Sequence, residues 1–448
     1  MHFETIPIMI EKAPEVSQLE LTKAVIDPLY SQLEPVIDKI NDNYEYWDSV
    51  KYKKRPEGCS AEQLWSFVKV SRFLKNVNIW DKYGIHLSIT DNMQRVCHEF
   101  DMNFGGFWGS ESILQTQEKE RYLVSSLMEE AISSSQMEGA STTRVVAKEM
   151  LRKKITPKNT SQQMILNNYT TIQYIVAHRD EPLTQEGLLH IHRLMTEKAI
   201  DNPDAAGRFR DNDDVVVADV IENEIVHRPP SYKEIPAFVN TLCNIFNHGE
   251  TSRAFIHPII RGIIIHFMVA YMHPFVDGNG RTARALFYWY MLKEKYWMME
   301  YLSISRIIGR TKKSYEKTFR YAELDGNDIG YFVAYNLDVL QKAFQQLQLY
   351  IQRKTAEKEA STAFMHLGNI NERQAQIIQL FVNKPKEIYS IKDFEIKFAV
   401  TAMTAKRDVI GLVERGILEE IPINKVKKGY AKGPKFSEVV TKAKDKTL

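Results

Sequence analysis

The chain has 448 residues, of which 44% are hydrophobic and 26% are charged. This composition is that of a folded globular chain with two or three domains, and it excludes broad disorder. The 59 basic and 57 acidic side chains leave a net charge of +2. That balance excludes a bulk attraction to nucleic acid and restricts any basic surface to a local one.

Neither a membrane span nor a secretion signal is recognisable in the sequence. The longest apolar run, residues 259–272, is interrupted by two polar side chains, and the first residues lack the basic-then-apolar pattern of a signal peptide. The three scattered cysteines, Cys59, Cys97 and Cys243, have no metal-binding spacing and predict free thiols. We therefore expect a cytoplasmic protein that does not contact a membrane.

Residues 1–115 are predicted to form a helical subdomain that supports the rest of the chain. Spaced apolar positions favour helices over residues 19–41 and 61–74, and Pro28 and Pro35 must break or kink the first of these. A helix end and a turn are predicted over residues 98–106. No chemistry is indicated in this region.

A second helical segment, residues 117–154, carries apolar side chains at helical spacing. By default, its acidic residues Glu129, Glu130 and Glu138 are expected on a solvated helix face. The segment includes a short Ser134-x-x-x-Glu138-Gly139 pattern, which taken alone indicates little.

A core helix is predicted over residues 183–197, followed by a β-hairpin. His190 and His192 lie two positions apart and therefore on different faces of that helix, so we interpret them as core or surface histidines and not as metal ligands. The hairpin is predicted from two β-branched runs, Val215-Val216-Val217 and residues 225–227, which flank a polar connector. On the residues alone, this hairpin is structural.

The densest group of chemically useful residues is the stretch HPFVDGNGRTAR, from His273 to Arg284. A buried apolar helix is predicted before it, with Pro258 in its first turn and its end near Pro274. A helical pattern restarts at Arg284 and runs to about residue 295. The Asp-Gly-Asn-Gly sequence between the two is therefore predicted to be a tight turn that leads into a second helix.

This turn contains the parts of a phosphoryl-transfer site. The first N–H groups of a helix lack partners, and two glycines let a phosphate approach them. Arg281 and Arg284, three positions apart, can grip a polyphosphate. Asp277 is a hard oxygen ligand for Mg²⁺, and His273 can take a proton from an incoming hydroxyl. An EF-hand and a Walker A loop are excluded, because the required ligand and Gly-Lys-Ser/Thr positions are not met.

The pattern His-Pro-Phe-x-Asp-Gly-Asn-Gly-Arg-x-x-Arg matches the Fic signature at every defining position, so the chain resembles Fic domain proteins. The resemblance implies a mainly helical core with a β-hairpin flap. It also implies transfer of AMP from ATP to a hydroxyl of a protein, with Mg²⁺ as cofactor. His273 would be the catalytic base and Asp277 the metal ligand, with Phe275 packed inward to position the loop. The implied ATP-binding residues are Asp277, Gly278, Asn279, Gly280, Arg281, Thr282 and Arg284.

The resemblance also assigns roles outside this motif. Ser134-x-x-x-Glu138-Gly139 matches the inhibitory signature of Fic proteins, in which Glu138 would pair with Arg284 and hold it away from the γ-phosphate. Because this signature lies before the motif, the chain resembles the class whose inhibitory helix precedes the Fic core.

Two further assignments follow from the same resemblance. The hairpin at Val215, Val216 and Val217 takes the place of the flap whose edge pairs with the target segment. Tyr315 lies roughly where relatives have an adenine-contacting tyrosine. A helix-packing aromatic is the alternative for Tyr315.

The last part of the chain predicts three helices and a hairpin, after a boundary near Ala360. The helices are predicted over residues 373–383, 391–398 and 401–415, the last ended by Gly416, and the strands over residues 417–421 and 425–436. This order resembles a winged helix-turn-helix with its recognition helix opening at Thr401. Local basicity comes from Lys425, Lys427, Lys428, Lys432 and Lys435. DNA binding through residues 390–436, partner docking or homodimerisation, and a purely structural role stay open.

The sequence therefore predicts a helical subdomain (1–115), a Fic core with its inhibitory helix (116–360) and a winged helix-turn-helix domain (361–448). The leading hypothesis is a protein adenylyltransferase that modifies a Tyr, Thr or Ser hydroxyl of a target protein, itself included. It would be restrained by Glu138, and removal of AMP at the same site stays open. The alternatives are a nucleotide-sensing DNA-binding regulator and a Fic enzyme with another nucleotide donor.

Overall fold

The structure is a computed structural model that describes residues 10–102, 116–219, 224–248, 255–365, 370–398, 400–423 and 428–445. Over these residues the protein is mainly helical with a few short strands, so the predicted fold class is confirmed. None of the helices in these ranges is long and apolar enough to cross a membrane. The chain separates into two compact units, Met1–Gln345 and Gln346–Leu448. The three-domain division stays a prediction.

Helices supply nearly all of the first unit. In chain order they are α1 (Gln18–Ile26), α2 (Pro28–Asp42), α3 (Trp47–Val50), α4 (Ala61–Leu74), α5 (Asp91–Phe100), α6 (Thr116–Met137), α7 (Arg144–Lys153), α8 (Thr160–Ala177), α9 (Gln185–Thr196), α10 (Ile235–His248), α11 (Pro258–Met272), α12 (Asn279–Lys293), α13 (Ile304–Arg310), α14 (Lys312–Leu324) and α15 (Gly330–Met365). The last of these runs past the division between the units.

Local sequence explains the start of the fold. Ser17 and Glu20 form a capping box at the start of α1, and the Asp27 side chain caps α2, whose first residue is Pro28. The predicted break therefore falls at Pro28, whereas α2 continues through Pro35.

An antiparallel hairpin of β1 (Asn76–Trp80) and β2 (Ile85–Ser88) follows α4 and was not predicted. Its strands are only five and four residues long, and tertiary contacts hold the hairpin in place. Trp80 stacks on Phe238 of α10, and the ring of Tyr83 meets that of Tyr271 in α11.

The helices α11 and α12 form the centre of the first unit and pack against each other, with α6, α8 and α9 around α12. Nearly every residue of α11 is buried, as the apolar run predicted. The close approach of the two helices requires Gly262, because a Cβ there would lie 3.1 Å from side-chain atoms of Met291 and Tyr290. This pair places the loop of residues 273–278 between two rigid elements.

Two more strands lie just before α10. They are β3 (Val217–Asp219) and β4 (Glu224–His227), paired antiparallel with a bulge after Val217. The predicted hairpin is therefore present, but Val215 and Val216 precede its first strand.

The second unit has α16 (Glu372–Asn383), α17 (Ile391–Phe398), α18 (Ala402–Glu414), the hairpin of β5 (Leu418–Pro422) and β6 (Lys428–Lys432), and α19 (Phe436–Asp445). Its core includes Phe381, Phe394, Val409 and Leu412. Tyr389 forms an isolated antiparallel bridge with Tyr430 of β6. The predicted order of helices and hairpin is observed, except that residues from Phe436 form α19. Lys425 and Lys427 lie outside the described residues.

A buried arginine ties the amino-terminal helices to the end of α14. Arg72 is 2% exposed, donates to Asn41 Oδ1 at 2.9 Å, the Tyr331 hydroxyl at 2.6 Å and the Glu45 carbonyl at 2.8 Å, and lies 3.8 Å from Asp325. We expect Arg72→Met to lower the free energy of unfolding by about 3 kcal/mol or more, because it leaves these buried acceptors without donors. Thermal unfolding measures the effect.

The control for this prediction is Lys75→Met. Lys75 is half exposed and pairs with the exposed Asp91 at 3.2 Å, so its loss is expected to change stability by less than about 0.5 kcal/mol. Equal melting temperatures for the two variants would contradict the role given to Arg72.

Candidate active site

The site begins where α11 ends, at a histidine in a left-handed backbone conformation. His273 has φ 48° and ψ 57°, and its N–H donates to the Val269 carbonyl. A residue other than glycine rarely adopts this conformation, and surrounding contacts must hold it there.

Arg210 supplies those contacts. Its guanidinium donates to the His273 carbonyl at 2.9 Å and to the Pro230 carbonyl. The backbone N–H of Arg210 donates to the Pro274 carbonyl at 2.9 Å. A second branch reaches Asp213 at 2.8 Å. Arg210 is 3% exposed, so it fastens the end of α11 to the segment that leads into β3.

The loop after His273 is held by Asn279, the first residue of α12. The Asn279 amide accepts from the Phe275 N–H at 3.0 Å and donates to the Phe275 carbonyl at 2.8 Å. The Phe275 ring is fully buried and stacks on His192 at 3.7 Å and on Phe209 at 5.4 Å.

His192 is the second support of this loop. Its Nδ1 accepts the Gly207 N–H at 3.0 Å, so the proton is on Nε2, which donates to the Asp277 carbonyl at 2.8 Å. Burial lowers the pKa of His192 to about 4, which keeps the ring neutral at physiological pH. The turn is tight, because a Cβ at Gly278 (φ 81°) would lie 2.6 Å from Thr196.

The first turn of α12 presents hydrogen-bond donors beside the positive end of the helix dipole. The N–H groups of Asn279, Gly280 and Arg281 occupy this turn, where helix geometry supplies no acceptor. The Arg281 guanidinium is 1% exposed, donates to the Met195 carbonyl at 3.2 Å and lies 3.7 Å from Asp277. Its Nε makes no hydrogen bond to a described residue, so donors remain for an anion.

A carboxylate from α6 and its following turn faces this same helix end. Glu138 Oε1 accepts from Arg284 at 2.8 Å, and a Cβ at Gly280 would lie 2.4 Å from that oxygen. Arg284, which is 3% exposed, also donates to the Ser134 hydroxyl at 2.9 Å and carbonyl at 3.1 Å. These three contacts of the guanidinium all go to the Ser134–Glu138 segment.

The Arg284 contact sets the charge of Glu138. Burial acts to raise the pKa of its carboxyl group, but the charge and hydrogen bond of Arg284, together with the charges of Arg281 and Lys312, outweigh burial, and the pKa lies below its usual value. A carboxylate with a lowered pKa keeps its ion pair at neutral pH and loses it only as the pH falls through that low pKa. Acidification within the physiological range therefore does not separate this pair.

Two acidic residues of α6 attach the helix to its neighbours. Glu129 is 7% exposed and lies 2.8 Å from Lys148, 3.1 Å from Arg144 and 3.8 Å from Arg306. Glu130 accepts from the Ser305 N–H at 3.0 Å and from its hydroxyl. The expectation that both residues face solvent is wrong, because cations from α7 and α13 surround Glu129 and donors at the start of α13 bond to Glu130.

Comparisons with known proteins agree with the motif. Residues 182–291 match the model of the Fic/DOC family. The chain contains a Fic domain. Protein adenylyltransferase Fic of Nematostella vectensis is 36% identical over 121 residues, which are 27% of this chain and 24% of that protein. Protein adenylyltransferase Fic of Drosophila virilis is 27% identical over 190 residues, 42% of this chain and 34% of that protein. The matches thus span a quarter to a third of these relatives.

Two solved structures align with about three quarters of this chain at low sequence identity. A Fic family protein from Desulfovibrio desulfuricans G20 aligns over 77% of this chain and 97% of its own, with 18% identity and a TM-score of 0.49. Fic-1 of C. elegans, residues 134–508, aligns over 76% of this chain and 90% of its own, with 15% identity and a TM-score of 0.46.

Within and around the Fic domain, the structure brings most of the predicted site residues together. His273, Asp277, Gly278, Gly280, Arg281 and Arg284 share the loop and the start of α12, and Ser134, Glu138 and Gly139 (φ 94°) face them. Tyr315 of α14 is 8% exposed, and its hydroxyl lies 3.0 Å from His266 Nε2. The Arg284 charge is among the influences on the pKa of Tyr315, which burial raises. Tyr315 therefore borders the site from the Arg284 side.

Two predicted nucleotide-binding residues, Thr282 and Asn279, have buried side chains, and their contact with ATP stays a prediction. Thr282 has no exposed surface, and its N–H donates to the Gly278 carbonyl at 3.0 Å, so it lies in the core. Both polar atoms of the Asn279 side chain are used by Phe275, so that side chain positions the loop. The second helix starts at Asn279 and not at Arg284, because Gly278 occupies the turn as the N-cap and Asn279 and Gly280 take the first helical positions.

The sequence interpretation missed three histidine and arginine contacts of the Fic domain. His192 and Arg210 support the loop. His227 of β4 hydrogen-bonds the Tyr271 carbonyl through Nε2 at 2.7 Å, and its Nδ1 contacts the Glu323 carboxylate of α14. Val215, Val216 and Val217 are half-buried beside this anchored hairpin. The sequence signal for His192 and His227 was a polar side chain in an otherwise apolar or β-branched segment, whereas Arg210 lies in a polar segment and gave no such signal.

A substitution at His192 tests its support of the loop. His192→Phe keeps a ring on Phe275 but leaves the buried Gly207 N–H and Asp277 carbonyl unpaired. We expect a loss of about 1–3 kcal/mol in the free energy of unfolding, measured by denaturant titration.

His190→Phe is the matched control, because His190 lies on the same helix and contacts Tyr174 instead. We expect little change for this variant. Equal losses for both substitutions would remove His192 from the loop's support.

Proposed function

We propose that this chain is a Mg²⁺-dependent protein adenylyltransferase, which moves AMP from ATP to a Tyr, Thr or Ser hydroxyl of a target protein and is restrained by Glu138. The observation that carries the proposal is the state of His273. Its Nδ1–H donates to the Ala270 carbonyl at 3.1 Å, and burial lowers its pKa to about 4. A neutral imidazole therefore offers its Nε2 lone pair next to the anion-binding end of α12. The names of the relatives support AMP as the transferred group.

Each residue of the loop then has a task in the reaction. Nε2 of His273 takes the proton from the target hydroxyl as its oxygen attacks the α-phosphorus of ATP, and the bond to the β-phosphate oxygen breaks. The N–H groups of Gly280 and Arg281 stabilise the charge on the phosphates. Arg281 and Arg284 hold the pyrophosphate as it leaves.

Asp277 fits the proposed metal. Its side chain is 59% exposed and carries a hard carboxylate oxygen beside the first turn of α12. Mg²⁺ is usually held by one or two carboxylates together with substrate phosphates and water. This agrees with the finding that the described residues contain no group of three or more His, Cys, Asp or Glu that could hold an ion by themselves. Bound there, the ion would neutralise phosphate charge.

The position of Glu138 supports the proposed restraint. Its carboxylate lies against Gly280 and takes one branch of Arg284, where a phosphate of ATP would need both the helix end and the guanidinium. Inhibition is then competition between two anions for the same donors. Removal of the carboxylate should free them.

The remaining parts of the proposal concern the target and the compartment. The hairpin of β3 and β4 is the surface on which we expect a target segment to be added as a strand, with its hydroxyl directed to His273. The three free cysteines fit a reducing cytoplasm.

The decisive experiment incubates purified protein with Mg²⁺ and ATP labelled at the α- or the γ-phosphate. We expect α-label on protein to rise at least tenfold in Glu138→Gly, with a smaller rise in Glu138→Gln, which keeps a hydrogen-bond acceptor but loses the charge. Adding His273→Ala to Glu138→Gly should cost a factor of about 10²–10⁴.

Each other outcome has a distinct meaning. Transfer of the γ-label would indicate a kinase-like reaction, and a stronger signal with labelled GTP, UTP or CDP-choline would change the donor. Equal labelling of wild type and Glu138→Gly would contradict restraint by Glu138 but would still support the adenylyltransferase activity. An unchanged signal in the double variant would sink the mechanism.

The pH dependence of kcat/KM tests the state of His273 in the free enzyme. A histidine with its ordinary pKa of about 6.5 loses its basic form by roughly tenfold between pH 7.5 and 5.5. With a pKa of about 4, His273 in Glu138→Gly should stay neutral, and kcat/KM should change less than twofold over this range. A tenfold fall centred near pH 6.5 would show that the imidazole is not desolvated as described.

A further inference from the structure

The positive charge of the chain is concentrated in its second unit. Residues 346–448 contain 19 Lys and Arg against 12 Asp and Glu, an excess of seven, whereas residues 1–345 contain 40 against 45, a deficit of five. The overall balance of +2 therefore hides two parts of opposite sign. An excess of this size on about a hundred residues favours a polyanionic partner.

The outward face of α18 carries cations and no acid over its first three turns. Lys406 and Arg407 are exposed together with Met403 and Ile410. The helix has an aspartate next to them, Asp408, but it is 2% exposed and accepts from Asn371 and Arg373 of the same unit.

Neighbouring cations contact acidic or aromatic side chains of the same unit, whereas Lys406 and Arg407 do not form such an ion pair with a described residue. Lys428 lies 2.6 Å from Glu420, Lys442 lies 2.6 Å from Glu438 and Lys432 lies over the Phe436 ring. Lys406 and Arg407 form no ion pair with any residue in the described part of the chain. Glu420 is the acid that Lys406 influences, and it has its pKa lowered first by Lys428 and only in smaller part by Lys406.

The packing of α18 leaves one side of the helix exposed for insertion into a groove of DNA. Its inner side packs through Ala405, Val409 and Leu412 into the core of the unit, and it contacts α16, α17 and β5. A helix of 13 residues is about 20 Å long, and the major groove of B-DNA, about 12 Å wide, admits one helix. Met403, which is 83% exposed, offers an apolar contact of the kind that thymine methyl groups accept.

We propose that the second unit binds double-stranded DNA through the outward face of α18, with Lys406 and Arg407 contacting phosphates or base edges in the major groove. This binding is independent of the chemistry proposed for the Fic domain. Because phosphate contacts supply most of the affinity, a duplex of arbitrary sequence is a sufficient probe.

The test uses the full chain and a fluorescein-labelled 24-base-pair duplex of mixed sequence, followed by anisotropy between 50 and 200 mM NaCl. We expect Lys406→Glu/Arg407→Glu to weaken binding at least tenfold at the lowest salt. The slope of log K against log salt should also become smaller by about two, one for each lost phosphate contact. Circular dichroism and the melting temperature should stay unchanged, because both side chains are exposed.

The matched control is Lys386→Glu/Lys442→Glu, which makes the same change in net charge on two exposed lysines outside α18, one in the turn after α16 and one in α19. It should keep the salt slope and lose less than threefold in affinity. Equal losses in both double variants would reduce the effect to net charge and overturn the assignment to α18. Stronger binding of a single-stranded RNA of the same length, or no binding of the duplex at 50 mM salt, would overturn it as well.

Discussion

The candidate active site depends on one interaction, which is the attraction of a negative charge to the unpaired donors at the start of α12. Three backbone N–H groups, Arg281 and Arg284 converge on a place that helix geometry leaves without acceptors. In this protein the Glu138 carboxylate supplies the charge from a different helix. The need for glycine at position 280 follows from the same contact, since a Cβ there would meet the carboxylate. Under the proposed function, ATP binding and its restraint by Glu138 would therefore use one set of donors.

That arrangement is rigid because its loop is held from both sides by groups that stay in one protonation state. His192 and His273 are both neutral because burial disfavours their charged forms. Both ring nitrogens of His192 and one ring nitrogen of His273 are committed to backbone groups. Arg210 holds the left-handed His273 by bonding its carbonyl. A base whose tautomer and backbone are both set by neighbours needs little rearrangement when a hydroxyl arrives.

The sequence predicted the parts of this site that depend on short-range rules. The two helices, the prolines at their ends and the glycine turn follow from local geometry, and the resemblance to Fic proteins identified the motif and Glu138. The sequence could not predict hydrogen-bond and ion-pair partners that only tertiary packing brings together. Helical periodicity placed His192 on a face of α9, but nothing in it indicated the carbonyl of Asp277, 85 residues later. Glu129 and Glu130 were expected in solvent because charge alone suggests it, and their cations and donors lie on α7 and α13.

The burial of Glu129 and Glu130 bears on how Glu138 can be moved. Both lie in α6, eight or nine residues before Glu138, and they attach this helix to α7 and α13 through an ion-pair group and a capped helix start. Removing either partner alone from such buried contacts is costly, so α6 does not swing away as a free lid. Displacement of Glu138 is then expected to be local, in the turn formed by residues 135–140, where Gly139 adopts a positive φ and the Glu138 N–H bonds only the Ser135 carbonyl. A signal that relieves the proposed restraint would therefore have to act on this turn or shift α6 together with the helices to which it is attached.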